Sequence, residues 1–212
     1  MKKRLIIISA GAFGREVACW AKNVQDMKTD WEIYGFLDNR PEILHGSGIS
    51  YPILGTVEDY EPDPMDVFLC AIGDPKVKMH YCALIAAKGA RFATLIHPTA
   101  VIGENCRIGE GCILCPYSVI TTKVTLGNHV ILNVHSSVGH DATIGEGSTL
   151  SGHCDVTGCA TLGLGVFMGS HATVLPKANV EDNAFIGAGS VVLRRVKTGQ
   201  TVFGVPARVY NF

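Results

Sequence analysis

Along the second half of the chain an aliphatic residue returns at every sixth position. Steps of six from Ile96 land on Ile102, Ile108, Leu114, Ile120, Leu126, Leu132, Val138, Ile144, Leu150, Val156, Leu162, Met168, Val174, Val180, Ile186 and Val192, with no gap. The residue four places after each is small, from Ala100, Cys106, Cys112 and Ser118 through to Ser190 and Val196, and Gly often follows the aliphatic, as at Gly103, Gly109, Gly145 and Gly187. Internal repeats of this kind set the fold. Six residues make a short strand plus a corner, so three units close one triangular coil. The large aliphatic points into the prism and the small residue packs beneath it, where a bulky side chain has no room. Coils stack at the sheet spacing of about 4.8 Å, so residues 96–197 predict nearly six coils and roughly 27 Å of parallel β-helix. No insertion breaks the period, so no long loop is expected to leave the prism.

The first half has a different grammar. Lys3 to Ser9 is a continuous apolar run, as in a buried parallel strand. Helical character follows from Arg15 to Lys22, then strands over Trp31–Leu37 and Asp66–Ile72. A helix is expected from Pro75 to Lys88, with Asp74 as N-cap, Pro75 in the first turn and Gly89 past the end. Arg91 to Ile96 leads into the prism. Strands alternating with helices predict a small, Rossmann-like parallel α/β domain over residues 1–95, with the β-helix domain and a short tail over 96–212. Ser9-Ala-Gly-Ala-Phe-Gly14 is a degenerate glycine fingerprint, with Ser9 where the first Gly would stand. Asp38 falls near the acidic position that holds a ribose in such folds. By itself the turn reads equally as a phosphate-binding turn, with backbone N–H groups offered at a helix start, or as merely a tight turn.

Composition narrows the field. The 18 Lys+Arg against 19 Asp+Glu give no polybasic or acidic tail to predict a nucleic-acid or membrane partner. Hydrophobic residues at 47% and charged residues at 17% exclude a disordered chain and suggest surface buried between subunits. The Met1-Lys-Lys-Arg start imitates a signal peptide, but Gly11 to Glu16 interrupt its short apolar run, and no stretch reaches the ~20 apolar residues of a membrane span. A reduced, cytoplasmic setting is therefore expected, with its eight cysteines free. Cys112 and Cys115 form a C-x-x-C, but in prism phase Cys112 points inward and Cys115 belongs to another face, so the pair is not a chelate.

The same phases place the histidines. His135, His153 and His171 are one coil apart and stack on one corner, where parallel rings do not converge tetrahedrally; a polar ladder at a subunit interface fits better than a metal, and no metal is expected. His140 stands at another corner with Asp141 beside it. Gly158 is stacked one coil on, which leaves a side-chain-sized gap beside the imidazole where a ligand arm has room.

The segment Asn133-Val-His-Ser-Ser-Val-Gly-His140-Asp resembles the catalytic segment of the bacterial PglD/NeuD sugar acetyltransferases. Other landmarks agree: Ser9-x-Gly-x-Phe-Gly-Arg-Glu16, Gly35-Phe-Leu-Asp38-Asn39, Ala71-Ile-Gly73-Asp74 and Gly204-Val-Pro-Ala-Arg208. The resemblance implies a left-handed β-helix, a homotrimer and acetyl-CoA as co-substrate. It implies His140 as general base with Asp141 raising its basicity. It maps the phosphate turn of a nucleotide-sugar site to Ala12, Phe13 and Gly14, with Asp38, Asn39 and Gly73 nearby. The acetyl-CoA groove between subunits maps to Thr149, Gly158, Ser170 and Ala188. Some relatives carry His where this chain has Thr149, and many carry Glu in place of Asp141.

The expected function is N-acetylation of a nucleotide-linked amino sugar of the 4-amino-4,6-dideoxy type, by direct attack with no acyl-enzyme. No Ser or Cys is visibly paired with a base in the segment, as covalent catalysis requires. Asn133 is the candidate for orienting the amine or holding the thioester. The rivals are a sialic-acid O-acetyltransferase, a non-catalytic module that binds a nucleotide-sugar, and a γ-class carbonic anhydrase. The last uses the five-residue spacing of His135 and His140, but its third His falls on Thr99 or Glu104 here.

Overall fold

The computed structural model describes residues 2–25 and 29–210. Its first unit is a four-stranded parallel sheet in the order β2–β1–β3–β4, from β1 (Lys3–Ile8), β2 (Trp31–Leu37), β3 (Asp66–Cys70) and β4 (Arg91–Phe92). Arg91–Phe92 is thus the fourth strand of this sheet as well as the way into the prism. Helix α1 (Ala12–Gln25) starts earlier than the pattern suggested and takes Ala12, Phe13 and Gly14 into its first turn. Helix α2 (Pro75–Ala87) is capped as expected: the Asp74 side chain accepts from the Val77 N–H, and Lys88 is the C-cap.

The prism has three parallel faces. The first carries the strands from Leu95–Ile96 to Thr201–Phe203, the second those from Val101–Ile102 to Val191–Val192, and the third those from Arg107–Ile108 to Arg195–Val196. Equivalent residues one coil apart pair directly, as in Leu114↔Leu132↔Leu150. The inner aliphatics from Leu114 to Val192 are buried in one continuous core. Ile96, Ile102 and Ile108 are the exceptions: they sit in the first coil, at the open end of the prism, where the first two are exposed and the third is partly buried. The repeat also shortens near its end. Val180 pairs with Val196, sixteen residues on rather than eighteen, and Ile186 pairs with Val202 in the same register. Val196 therefore fills a large inward position and is not the small residue of the preceding unit.

Three residues after each inner aliphatic from Ile102 to Ile186 the chain turns a corner in the left-handed region, as at Lys123, His135, Asp141, His153, Cys159 and His171. A side-chain-bearing residue there costs roughly 1–2 kcal/mol. The stack offsets it, because each such N–H finds a carbonyl of the coil before, as in Asp141 to Thr122 (3.1 Å) and Cys159 to His140 (2.8 Å). The corners consequently hold side chains in vertical columns. Tyr117, His135, His153 and His171 form one such column, with ring centroids 5.0, 4.9 and 4.7 Å apart.

The two units share a core. On the first face the outward residues Leu95, Ile113 and Ile131 are apolar and pack with Leu5, Ile7, Val17 and Ala21 of the α/β unit, and Cys115 joins them. Cys112 lies in the prism core instead, so the C-x-x-C pair is divided between two clusters. Burial pushes the Cys112 thiol up to about 11 and that of Cys115 higher still. All eight cysteines are free. Among the described residues no helix is long and apolar enough to cross a membrane.

Candidate active site

A cavity of about 1000 Å³ opens where the α/β unit meets the first face of the prism. Ala12, Phe13 and Gly73 line it from the α/β side, and Asn133, Thr149 and Ser151 from the prism. It thus joins expected nucleotide-sugar residues to one expected catalytic residue and one expected cofactor residue. Phe13 is held edge-on to Trp20, with centroids 6.1 Å apart. The Asn133 side-chain oxygen accepts from the Val134 N–H (2.7 Å), which leaves its amide nitrogen to donate to a ligand.

Asp38 and Asn39 line a second, smaller cavity of about 230 Å³ together with Ser9 and Arg40. Here the structure corrects one expectation. The Asp38 carboxylate is already occupied: Oδ2 accepts from the Ala10 N–H (2.8 Å) and Arg40 Nη2 (2.9 Å), and Oδ1 accepts from the Arg40 N–H (3.1 Å) and Nε (2.8 Å). Burial opposes its charge, but the guanidinium and the two N–H groups outweigh that and hold its carboxyl below the usual range. With four donors on two oxygens, Asp38 fixes the glycine turn and offers no free acceptor for a ribose hydroxyl. Gly14 is buried under the turn and touches neither cavity's opening.

His140 and Asp141 lie elsewhere, at the corner between the second and third faces, and neither lines the large cavity of its own chain. Both are exposed, and His140 Nδ1 lies 2.8 Å from Asp141 Oδ2. An ionised carboxylate only accepts, so Nδ1 carries the proton and Nε2 presents its lone pair. The expected gap at Gly158 is closed. A Cβ built there meets His140 Nε2 at 2.5 Å and Cε1 at 2.7 Å, so the imidazole itself lies over this glycine and leaves no space for a ligand arm between them. Ser170 and Ala188 are exposed at the corner between the first and second faces, in the columns beside the histidine ladder. Cys159 was not singled out from the sequence, yet it stacks beneath Asp141, and its thiol, one imidazole nitrogen and one Asp141 oxygen all lie within 4.8 Å of one another.

A second feature missed in the sequence is the seat of α2 on the prism. Lys78 is fully buried, and its Nζ donates to Thr149 Oγ1 (2.8 Å) and to the Ser148 carbonyl (3.3 Å). Burial pushes its amine down to about 8. Nearby, the Cys82 thiol faces His129 Nδ1 at 3.6 Å. Lys78→Met keeps the shape and removes a desolvated ammonium. The Ser148 carbonyl still accepts from the Ile131 N–H, and Thr149 still faces the cavity. The variant is therefore expected to be at least as stable as the parent at pH 7. The folded amine titrates lower than the unfolded one at 10.5, so the penalty is full below about 8 and is relieved as pH rises toward 10.5. Paired thermal melts of parent and variant should show the parent gaining on Lys78→Met across that window; a parent that loses ground would mean the ammonium is favourably held.

The description PglD N-terminal domain fits residues 4–84, and that of the bacterial transferase hexapeptide (six repeats) fits residues 92–122. The chain thus pairs a PglD-type N-terminal domain with hexapeptide repeats. The fold of this chain is similar to the acetyltransferase domain of PglB from Neisseria gonorrhoeae FA1090, at TM-score 0.89 and 27% identity over 99% of this chain and 100% of that one. That domain is also known in complex with acetyl coenzyme A, at TM-score 0.88 and 26% identity over 99% and 100% of the two chains. PerB from Caulobacter crescentus, in complex with CoA and GDP-perosamine, shares the fold at TM-score 0.85 and 23% identity over 98% and 97% of the two chains. In sequence, the UDP-N-acetylbacillosamine N-acetyltransferase of Bacillus subtilis (strain 168) is 26% identical over 114 residues, 53% of this chain. The match spans about half, 51%, of that relative's length.

Proposed function

We propose that this chain transfers the acetyl group of acetyl-CoA to the amine of a nucleotide-linked 4-amino-4,6-dideoxy sugar. The observation that carries the reading is the large cavity, which sets the first turn of α1 opposite Asn133 and Thr149. A helix N-terminus suits a diphosphate, and the sugar then extends toward the prism. The PglB domain's complex with acetyl coenzyme A and the N-acetyltransferase name of the curated relative support donor and reaction type. They favour N- over O-acetylation of sialic acid. In this reading residues 1–95 hold the nucleotide-sugar, and residues 96–212 hold the donor along Thr149, Ser170 and Ala188.

The unprotonated amine attacks the thioester carbonyl, and His140 Nε2 takes the proton that the new amide nitrogen sheds. Asp141 keeps the proton of Nδ1 in place and stabilises the imidazolium. The tetrahedral intermediate expels the CoA thiolate. Because His140 lies off its own chain's cavity, the site is completed by a neighbouring copy, in a homotrimer that sets one chain's corner against the next chain's first face. The test is a thiol-release assay over nucleotide-linked 4-amino sugars and free sialic acid. Release with an amino sugar, with an N-acetylated product, supports the reading; acetylation of sialic acid alone would overturn it.

Gly158 supplies a prediction of its own. In Gly158→Ala the new methyl displaces the ring it underlies, because the imidazole end is free to swing and the backbone is not. Turnover should fall by about 10²-fold, as for a misplacement of about 1 Å, while the melting temperature changes little. Unchanged turnover would show that the ring's seat over Gly158 does not matter.

A further inference from the structure

We propose that His140, Asp141 and Cys159 form a binding site for a thiophilic divalent cation, zinc above all, and that the occupied site is catalytically silent. Three features of the fold build it. The left-handed corner repeats at each coil, so Asp141 and Cys159, both at φ 60°, point the same way one above the other. The Cys159 N–H donates to the His140 carbonyl at 2.8 Å, which fixes the thiol's backbone under the histidine. Gly158 has no side chain to hold the imidazole off, so the ring lies down toward the lower coil and its thiol.

The result is one nitrogen, one carboxylate oxygen and one sulfur within 4.8 Å of one another on an exposed corner. Tetrahedral zinc, with bonds of about 2.0–2.3 Å, holds its ligand atoms about 3.3–3.8 Å apart, so side-chain rotation closes the widest separation by roughly 1 Å, and a metal on Nδ1 takes the place of its 2.8 Å contact with Asp141 Oδ2. A thiolate, an imidazole and a carboxylate are a donor set that suits zinc and disfavours magnesium or calcium. The charges balance as well: two anionic ligands meet a dication, and the fourth position stays with water. On binding, the Cys159 thiol releases its proton to solvent and the imidazole binds neutral.

Silence follows from the nitrogen. A metal on Nε2 covers the lone pair directly; a metal on Nδ1 moves the ring proton to Nε2. Either way the acceptor for the amine proton is lost. This second half rests on the reading of His140 as general base, whereas the binding does not.

The experiment uses the full chain, stripped by chelator. Cobalt(II) titration followed by absorption should give a thiolate-to-cobalt charge-transfer band, and equilibrium dialysis should give one zinc per chain. Cys159→Ser should abolish the band and weaken zinc binding by about tenfold or more. In metal-free buffer this variant should turn over like the parent, and it should need about tenfold more zinc to be inhibited. No band, or zinc binding unchanged in Cys159→Ser, overturns the site. A band and stoichiometric zinc without loss of turnover would keep the site and overturn both its silence and the role given to His140.

Discussion

His140→Ala lowers turnover by roughly 10²–10⁴-fold, the range of general-base assistance, while the KM for acetyl-CoA stays nearly unchanged. The split follows from position. The ring is exposed at a corner and its only polar partner among the described side chains is Asp141, 2.8 Å away, so its loss leaves no buried group unsatisfied and no hole in the core. Stability should hardly move. The proton acceptor is the one thing removed, so the deficit appears in the chemical step and not in donor binding. Asp141→Asn tests the other half of the pair. It keeps a partner near Nδ1 but no longer obliges that nitrogen to carry the proton, so a smaller loss of turnover is expected. Steady-state kinetics with saturating amino sugar separate the cases, and a loss below about threefold in His140→Ala would remove the ring from the reaction.

How far these roles were legible in the sequence depends on what kind of relation each rests on. Period six placed the prism, its inner residues from Leu114 to Val192 and the histidine column, because a strict repeat converts sequence distance into height along one axis. The same arithmetic places Cys159 under Asp141, but a cysteine carries no signal until the corner's left-handed backbone shows that the two side chains point together. The outward positions were also readable: apolar Leu95, Ile113 and Ile131 on the first face stand against Arg107, Thr125 and Thr143 on the third, which marks the face the α/β unit covers. Lys78 was not readable. A lysine within a helix is normally solvated, and only the docking of α2 on Thr149 explains its burial. Asp38 was half legible: its place beside the glycine turn can be read from the spacing, but not that Arg40, two positions on, takes up its oxygens. The shortened final coil was masked because Val196 passes equally as a small or a large residue.

Gly14→Ala is expected to destabilise the α/β unit by about 3 kcal/mol, which for a chain of this size lowers the melting temperature by roughly 6–12 °C. A Cβ on Gly14 falls 1.9 Å from the Ser9 carbonyl oxygen and 2.8 Å from its carbon, where real contacts stop near 3.0 Å. One of the two backbones must yield by about 1 Å, and neither is free. Ser9 sits at φ 78°, with its N–H on the Leu37 carbonyl at 2.8 Å, and the next N–H, that of Ala10, is on Asp38. Gly14 itself is in the first turn of α1, with Arg15 bonded to the Gly11 carbonyl at 3.0 Å. Gly11→Ala is the internal control, since its Cβ meets only Ser9 Oγ at 3.4 Å and Arg40 Nη2 at 3.8 Å, and a change within about 0.5 kcal/mol is expected. The contrast locates the reason for the glycines of this turn. Gly14 is there so that strand end and helix start can touch, and that contact sets the first turn of α1 against the cavity it shares with Asn133. If Gly14→Ala melted no lower than Gly11→Ala, the turn would be pliable, and a rigid cradle for a diphosphate could not be built on it.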